Sequence, residues 1–114
     1  MIAETKDLKK IIIHYGAYNQ ISKTVEELIE LSEVLIKDVN KSEFDKERLY
    51  EELADVWVML AQLKIIYNIN YDELQMIIDQ KIKRTLDRID KEPSGVYYDG
   101  KGNLLGIDTD CSWK

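Results

Sequence analysis

Two short acidic clusters, each set in an apolar helical segment, constrain this 114-residue chain more than any other feature. The first is Glu26-Glu27-Leu-Ile-Glu30 and the second is Glu51-Glu52-Leu-Ala-Asp55. Residues i and i+3 of a helix lie about 5–6 Å apart at Cβ, so each cluster places a pair of carboxylates on one helix face. If the two helices pack together, four carboxylates converge, and they are costly to desolvate unless protons or cations neutralise them. The pattern therefore predicts a divalent-metal site.

Composition narrows the class of protein and its partners. The length suits one compact domain with a modest core, and no uninterrupted apolar run reaches the 18 residues typical of a membrane span. A net charge of −6 argues against nonspecific binding to nucleic acid or membranes. The single cysteine, Cys111, excludes an internal disulfide framework, and the charged N-terminus does not resemble a secretion signal. We therefore expect a cytoplasmic protein.

Hydrophobic periodicity and breaker residues predict an all-α fold. We expect helices at 5–15, 18–40, 43–67 and 71–91, forming a four-helix bundle-like core in a helical domain at 1–92. Pro93-Ser-Gly95 breaks the last helix, and the extension at 93–114 is predicted to contain a short β-hairpin around a glycine-rich loop at 99–103.

The second helix carries apolar residues on more than one side. Its predicted core stripe consists of Ile21, Val25, Leu28, Ile29, Ser32, Leu35, Ile36 and Val39. The acidic residues fall on the opposite side, but that side also carries Leu31 and Val34. We expect this helix to bury a second stripe there, because a fully solvated face gains nothing from large apolar residues.

The third helix is apolar without a break from Val56 to Ala61. A helix that is apolar on all sides is normally buried on all sides. Glu52 and Asp55 lead directly into this segment, so we expect their carboxylates to point into the protein. The excess of apolar surface also favours a homodimer or a homotetramer.

The acidic motif resembles the signature of the MazG-like all-α nucleoside triphosphate pyrophosphohydrolases. Glu26-Glu27-x-x-Glu30, 21 intervening residues and Glu52-x-x-Asp55 match it in spacing and order. The upstream His14-Tyr-Gly16, with Gln20 and Lys23, is similar to small bacterial and phage members. The resemblance covers roughly residues 10–90, and nothing in the tail can be interpreted through it.

The resemblance implies an enzyme that converts a nucleoside triphosphate into the monophosphate and pyrophosphate, and house-cleaning of the nucleotide pool is the role it suggests. It implies Mg²⁺, with Mn²⁺ as a substitute, held by Glu27, Glu30, Glu52 and Asp55. It also implies a helical dimer or tetramer. Lys81, Arg84 and Arg88, late in the last helix, correspond to basic residues that face substrate phosphates in relatives.

The chemistry agrees with this interpretation, since Mg²⁺ prefers oxygen ligands and polarises phosphoryl groups. We expect water to attack the α-phosphorus, with Glu26 or Glu30 accepting its proton, while cations neutralise the departing pyrophosphate. Gln20 and Lys23 are candidates for lining the nucleotide pocket.

Simpler explanations exist for single residues and for the whole chain. Glu27 would be a capping-box partner of Thr24 if the second helix began later, Lys81 could extend from the edge of the core, and exposed helix polarity would explain Gln20 and Lys23. The non-enzymatic alternative is a helical oligomerisation module with acidic surface groups. Other metal and nucleotide classes fit poorly, because the chain has one histidine, lacks the Glu-x-x-His pairs of di-iron proteins and contains no P-loop motif.

Overall fold

The computed structural model describes residues 4–91, together with the backbone at 96–98 and 104–107. Four helices follow one another along the chain, which confirms the all-α prediction: α1 (Thr5–Tyr15), α2 (Ala17–Val39), α3 (Lys46–Ile66) and α4 (Tyr71–Ile89). Two short strands, β1 (Val96–Tyr98) and β2 (Leu104–Ile107), pair in an antiparallel arrangement. The predicted break at 93–95, the predicted loop at 99–103 and Cys111 lie outside the described residues.

Local signals account for the helix ends. Gly16 alone separates α1 from α2, and its φ of +94° lies in a region that side-chain-bearing residues rarely adopt. The α3 N-cap is Asp45, whose side chain accepts hydrogen bonds from the backbone N–H groups of Glu47 and Arg48 at 3.0 and 3.4 Å. The third helix therefore begins three residues later than the periodicity predicts.

The chain divides into two compact units, Met1–Asn70 and Tyr71–Lys114. In the first unit, α2 packs against α3 and α1 contacts both. The helices α2 and α3 run antiparallel, because Gln20 pairs with Gln62 at one end of the contact and Glu27 lies beside Glu52 farther along. In the second unit, every residue of α4 is exposed.

The contact between α2 and α3 is unusually polar for a helix–helix interface. Apolar residues buried in the described part of the chain are Leu8, Val34, Val56, Met59 and Ala61. The buried polar residues are Gln20, Thr24, Glu27, Glu52 and Gln62, and all of them lie on α2 or α3. We call these five residues the polar seam, and it contains one acid from each of the two sequence clusters.

The prediction for the core face of α2 is wrong in the single chain. Val34 is buried and Leu31 is half-buried, so the predicted second stripe, on the acidic side, is confirmed as the side that packs. The stripe predicted as core is instead largely exposed, at Val25, Leu28, Ile29, Ser32, Leu35, Ile36 and Val39. The physical reason is that α1 and α3, the other helices of the first unit, leave most of this side of α2 uncovered.

The same correction applies to α3. Val56, Met59 and Ala61 are buried, but Trp57, Val58 and Leu60 are exposed. The helix is therefore buried on one side in the single chain and not on all sides. No helix among the described residues combines the length and apolarity needed to cross a membrane.

Candidate metal centre

Three carboxylates from two helices meet in the first unit. Glu27 on α2 and Glu52 with Asp55 on α3 each place one carboxylate oxygen in a set whose members lie within 4.8 Å of one another. We call these residues the acidic trio. Glu52 and Asp55 share a face because they are three residues apart, and the packing of α2 on α3 brings Glu27 to the same place.

Two members of the acidic trio are buried with an unpaired oxygen. Glu27 and Glu52 are only 6% and 8% exposed, and in each residue the Oε2 atom has no hydrogen-bond partner. Leaving a buried carboxylate oxygen unpaired costs free energy, because the oxygen has given up its water without replacement. These oxygens are the hard donors that Mg²⁺, Mn²⁺ or Ca²⁺ would bind, so the residues fit a divalent cation.

Basic residues contact the other oxygen of each buried acid. Lys23 Nζ lies 3.1 Å from Glu27 Oε1, and Arg48 Nε lies 3.8 Å from Glu52 Oε1. Both basic residues precede their acid by four positions, the helical spacing at which side chains on one face meet. The basic side chains are about half exposed, so water screens part of each ion pair.

Repulsion among the acidic residues contributes to raised pKa values at Glu30 and Asp55. The negative charge of Glu27 is the largest cause that raises the pKa of Glu30, followed by burial, and Glu52 adds to the effect. Asp55 is an exposed residue, so the expectation that both acids of α3 point into the protein is correct for Glu52 and wrong for Asp55. Partial desolvation of its carboxyl is the largest cause that raises the pKa of Asp55, with further contributions from the charges of Glu27 and Glu52. The pKa of Lys23 is also raised, chiefly by its hydrogen bond and charge interaction with Glu27.

The structure brings most of the predicted site residues of the first unit together. Glu27, Glu52 and Asp55 form the trio, and Glu30 is half-buried beside it, although it does not belong to the set within 4.8 Å. Glu26 is exposed and contacts Lys23 at 3.8 Å. The predicted phosphate-binding residues Lys81, Arg84 and Arg88 are exposed on α4, in the second unit, and their role stays a prediction.

A groove of about 540 Å³ adjoins the trio, a size suited to a small organic ligand. Lys23 lies at both sites, since it contacts Glu27 and also lines the groove. Amide side chains and apolar walls make up the remainder of the lining: Ile11, Tyr15, Asn19, Gln20, Val58, Met59 and Gln62. Gln20 Nε2 donates to Gln62 Oε1 at 2.7 Å, which joins α2 to α3 beneath the groove.

Two residues at the site, Arg48 and Gln62, have no predicted role in the sequence interpretation. The contact of Arg48 could have been predicted from the sequence, because a basic residue four positions before an acid on a helix lies on the same face as that acid, here Glu52. Gln62 carried no such signal, since its partner Gln20 is 42 residues away and the pairing depends on how α2 and α3 align.

Comparisons with protein-family models, with curated proteins and with solved structures found no match.

Proposed function

We propose that this chain is a Mg²⁺-dependent nucleoside triphosphate pyrophosphohydrolase of the MazG-like type, acting in the cytoplasm. The observation that carries the proposal is the pair of unpaired, buried oxygens on Glu27 and Glu52, which come from the two halves of the acidic motif and lie beside Asp55. An acidic cluster on a solvated surface would leave its oxygens in water. The adjoining groove provides space for a nucleoside next to the cation.

In this proposal Glu27, Glu52 and Asp55 would hold the cation, and Glu30, half-buried beside them, would be the fourth ligand. When bound, Mg²⁺ supplies charge neutralisation for the triphosphate and polarises the phosphoryl group. Glu30 would accept the proton of the water that attacks the α-phosphorus, because it lies half-buried at the edge of the trio. Glu26, exposed beside Lys23, is the second candidate for this role.

The remaining predicted residues bind the substrate. Lys23 lies between the trio and the groove, where its ammonium can neutralise a phosphate oxygen. Gln20 lines the groove and offers its amide to the base or the sugar. Lys81, Arg84 and Arg88 lie on α4, in the second unit, and a role for them in binding phosphate rests on the sequence resemblance alone.

We also propose that the chain works as a homodimer or a homotetramer. Large apolar residues are exposed along one side of α2 and on α3, and a second copy would cover them. The same exposed residues favour the alternative function, a non-catalytic helical oligomerisation module.

A nucleotide panel tests the proposed reaction. Purified protein is incubated with canonical and modified nucleoside triphosphates and Mg²⁺, and pyrophosphate and orthophosphate are measured separately. We expect pyrophosphate and nucleoside monophosphate in equal amounts. Glu52→Gln should lower the rate by a factor of about a hundred or more, because a cation ligand is lost while the shape is kept.

Glu51→Gln is the matched control, since Glu51 is the exposed neighbour of Glu52 on the same helix, and it should retain the wild-type rate. Release of orthophosphate alone, or equal rates in the two variants, would contradict the proposal. An oligomer without turnover on any nucleotide would favour the oligomerisation module.

A further inference from the structure

A second cavity of the first unit lies apart from the acidic trio. It has a volume of about 440 Å³ and lies between α1 and the C-terminal end of α3, and its size is typical of small-molecule sites. None of its described lining residues belongs to the trio or to the groove beside the trio. We call it the lysine cavity, and the residues that line it are Thr5, Leu8, Lys9, Ala61, Lys64, Ile65, Asn68 and Ile69.

The floor of the lysine cavity is apolar. Leu8 from α1 and Ala61 from α3 are buried, and Ile65, which also lines the cavity, is half-buried. The side chain of Ala61 is small, so it leaves space at the contact of α1 with α3 that a larger residue would fill. A hydrocarbon or aromatic group that displaces water from such a floor gains about 25 cal/mol per Å² of apolar surface. The floor therefore favours a ligand with an apolar part.

Two lysines bring positive charge to the same cavity from different helices. Lys9 lies on α1 and Lys64 on α3, and the packing of α1 on α3 makes both of them part of the lining. Thr5 and Asn68 add a hydroxyl and an amide, which can donate hydrogen bonds. None of the described residues that line the cavity is acidic, although the whole chain has 22 acidic and 16 basic residues. The lining therefore repels a cationic ligand and attracts an anionic group.

We propose that the lysine cavity binds a small amphipathic anion, which is a carboxylate or a phosphate monoester on a short hydrocarbon or aromatic group. Lys9 and Lys64 bind the anionic head, and the apolar floor contacts the remainder of the ligand. The site is separate from the cation centre, and it does not depend on the pyrophosphohydrolase proposal.

A titration of isotope-labelled protein with four small molecules, followed by NMR of the backbone amides in metal-free buffer, tests the ligand class. Hexyl phosphate and hexanoate carry both an anionic head and an apolar tail, so each should shift the amide signals of Leu8, Ala61 and Ile65 in a saturable way. Hexanol lacks the charge and inorganic phosphate lacks the tail, so each should bind about tenfold more weakly or worse than hexyl phosphate.

The double variant Lys9→Met/Lys64→Met tests the two lysines, because it removes both positive charges and keeps most of each aliphatic stem. The Kd for hexyl phosphate should rise about tenfold or more, since the attraction of the anionic head is lost. The control Lys6→Met/Lys10→Met makes the same change in net charge at exposed positions of α1 that do not line the cavity. It should leave the Kd within about twofold of the wild-type value, because solvent screens these more distant charges.

Absence of saturable shifts at the cavity with both anions would overturn the proposal, and so would equal binding of hexanol. Equal Kd values for the two double variants, with circular dichroism showing intact folds, would also overturn it. If Lys9→Met/Lys64→Met does not fold, the single variants are measured in its place, and at least one must raise the Kd. Glu52→Gln should bind hexyl phosphate as the wild type does, so a failure of the cation centre and a failure of the lysine cavity are distinguishable.

Discussion

At the residue scale, the acidic trio and Glu30 place several carboxylates close enough to repel one another when ionised. The pKa values of Glu30 and Asp55 are raised in the folded chain by nearby negative charge and by burial. The folded chain therefore holds protons on these groups more tightly than the unfolded chain does. Tighter proton binding by the folded chain adds to the free energy of unfolding. The addition is complete at a pH below the ordinary carboxyl pKa of about 4, and it is lost as the pH rises through the raised pKa values.

We expect the cation-free variant Glu30→Gln/Asp55→Asn to be more stable than the wild type at neutral pH, and the difference to shrink as the pH falls toward 4. Neutral amides remove the repulsion that the two carboxylates meet when ionised. Thermal unfolding followed by circular dichroism, in buffer treated with chelator, measures the difference at each pH. Because this difference compares the variant with the wild type, the pH dependence that comes from the other acidic residues is present in both proteins and largely cancels.

Glu33→Gln/Glu51→Gln controls for the loss of two negative charges at exposed helical positions, and its stability difference should vary little with pH. Saturating Mn²⁺ should raise the melting temperature of the wild type more than that of Glu30→Gln/Asp55→Asn, because binding of a cation to the folded state stabilises it. A variant that is less stable than the wild type at neutral pH without cation would show that the carboxylates do not repel one another.

At the scale of elements, the polar seam explains why α2 and α3 align as they do. Gln62 is only 1% exposed, and its amide oxygen accepts the hydrogen bond from Gln20. A buried amide whose partner is removed keeps the cost of its desolvation. The pairing thus favours the one register in which the acids of both helices also meet.

Replacing Gln62 with Leu should lower the free energy of unfolding by about 1–3 kcal/mol, because Gln20 is left without its partner. The double variant Gln20→Leu/Gln62→Leu should recover much of that loss, since both polar groups are gone. Urea denaturation of the four proteins in a double-mutant cycle gives the coupling free energy. Additive effects of the two single substitutions would show that the hydrogen bond contributes nothing to the helix pairing.

The sequence predicts the elements better than it predicts their faces. Helix existence and ends depend on local signals such as Gly16 and the apolar period, so the helix bounds agree within a few residues. The meeting of Glu27 with Glu52 was predictable because spacing placed each acid beside the apolar residues that pack, Val34 on α2 and Val56 on α3. The exposure of the stripe through Ile36 was not predictable. Periodicity shows which surface of a helix is apolar, but it does not show which partner covers that surface.

At the scale of the whole molecule, one side of α2 exposes a row of large apolar residues in the single chain. Val25, Ile29 and Ile36 follow at helical spacing and are all more than half exposed, which gives α2 an apolar stripe distinct from its polar seam. Trp57 and Leu60 on α3 add further exposed apolar surface. A symmetric pair of chains would bury such residues twice, once from each copy, which is why we expect a homodimer or a larger closed assembly.

Ile36→Glu tests that expectation, because it places a charge in the middle of the stripe. Burial of an isoleucine contributes about 1.5–3 kcal/mol and a symmetric interface loses it in both copies, so the dissociation constant should rise on the order of a hundredfold or more. Lys37→Glu introduces the same residue at the next position, about 100° around the helix and away from the stripe. Light scattering after size-exclusion chromatography at micromolar concentration should show an oligomer for the wild type and Lys37→Glu and a monomer for Ile36→Glu. A monomeric wild type at that concentration would contradict the interface, and it would leave the apolar stripe of α2 without a function in the assembly.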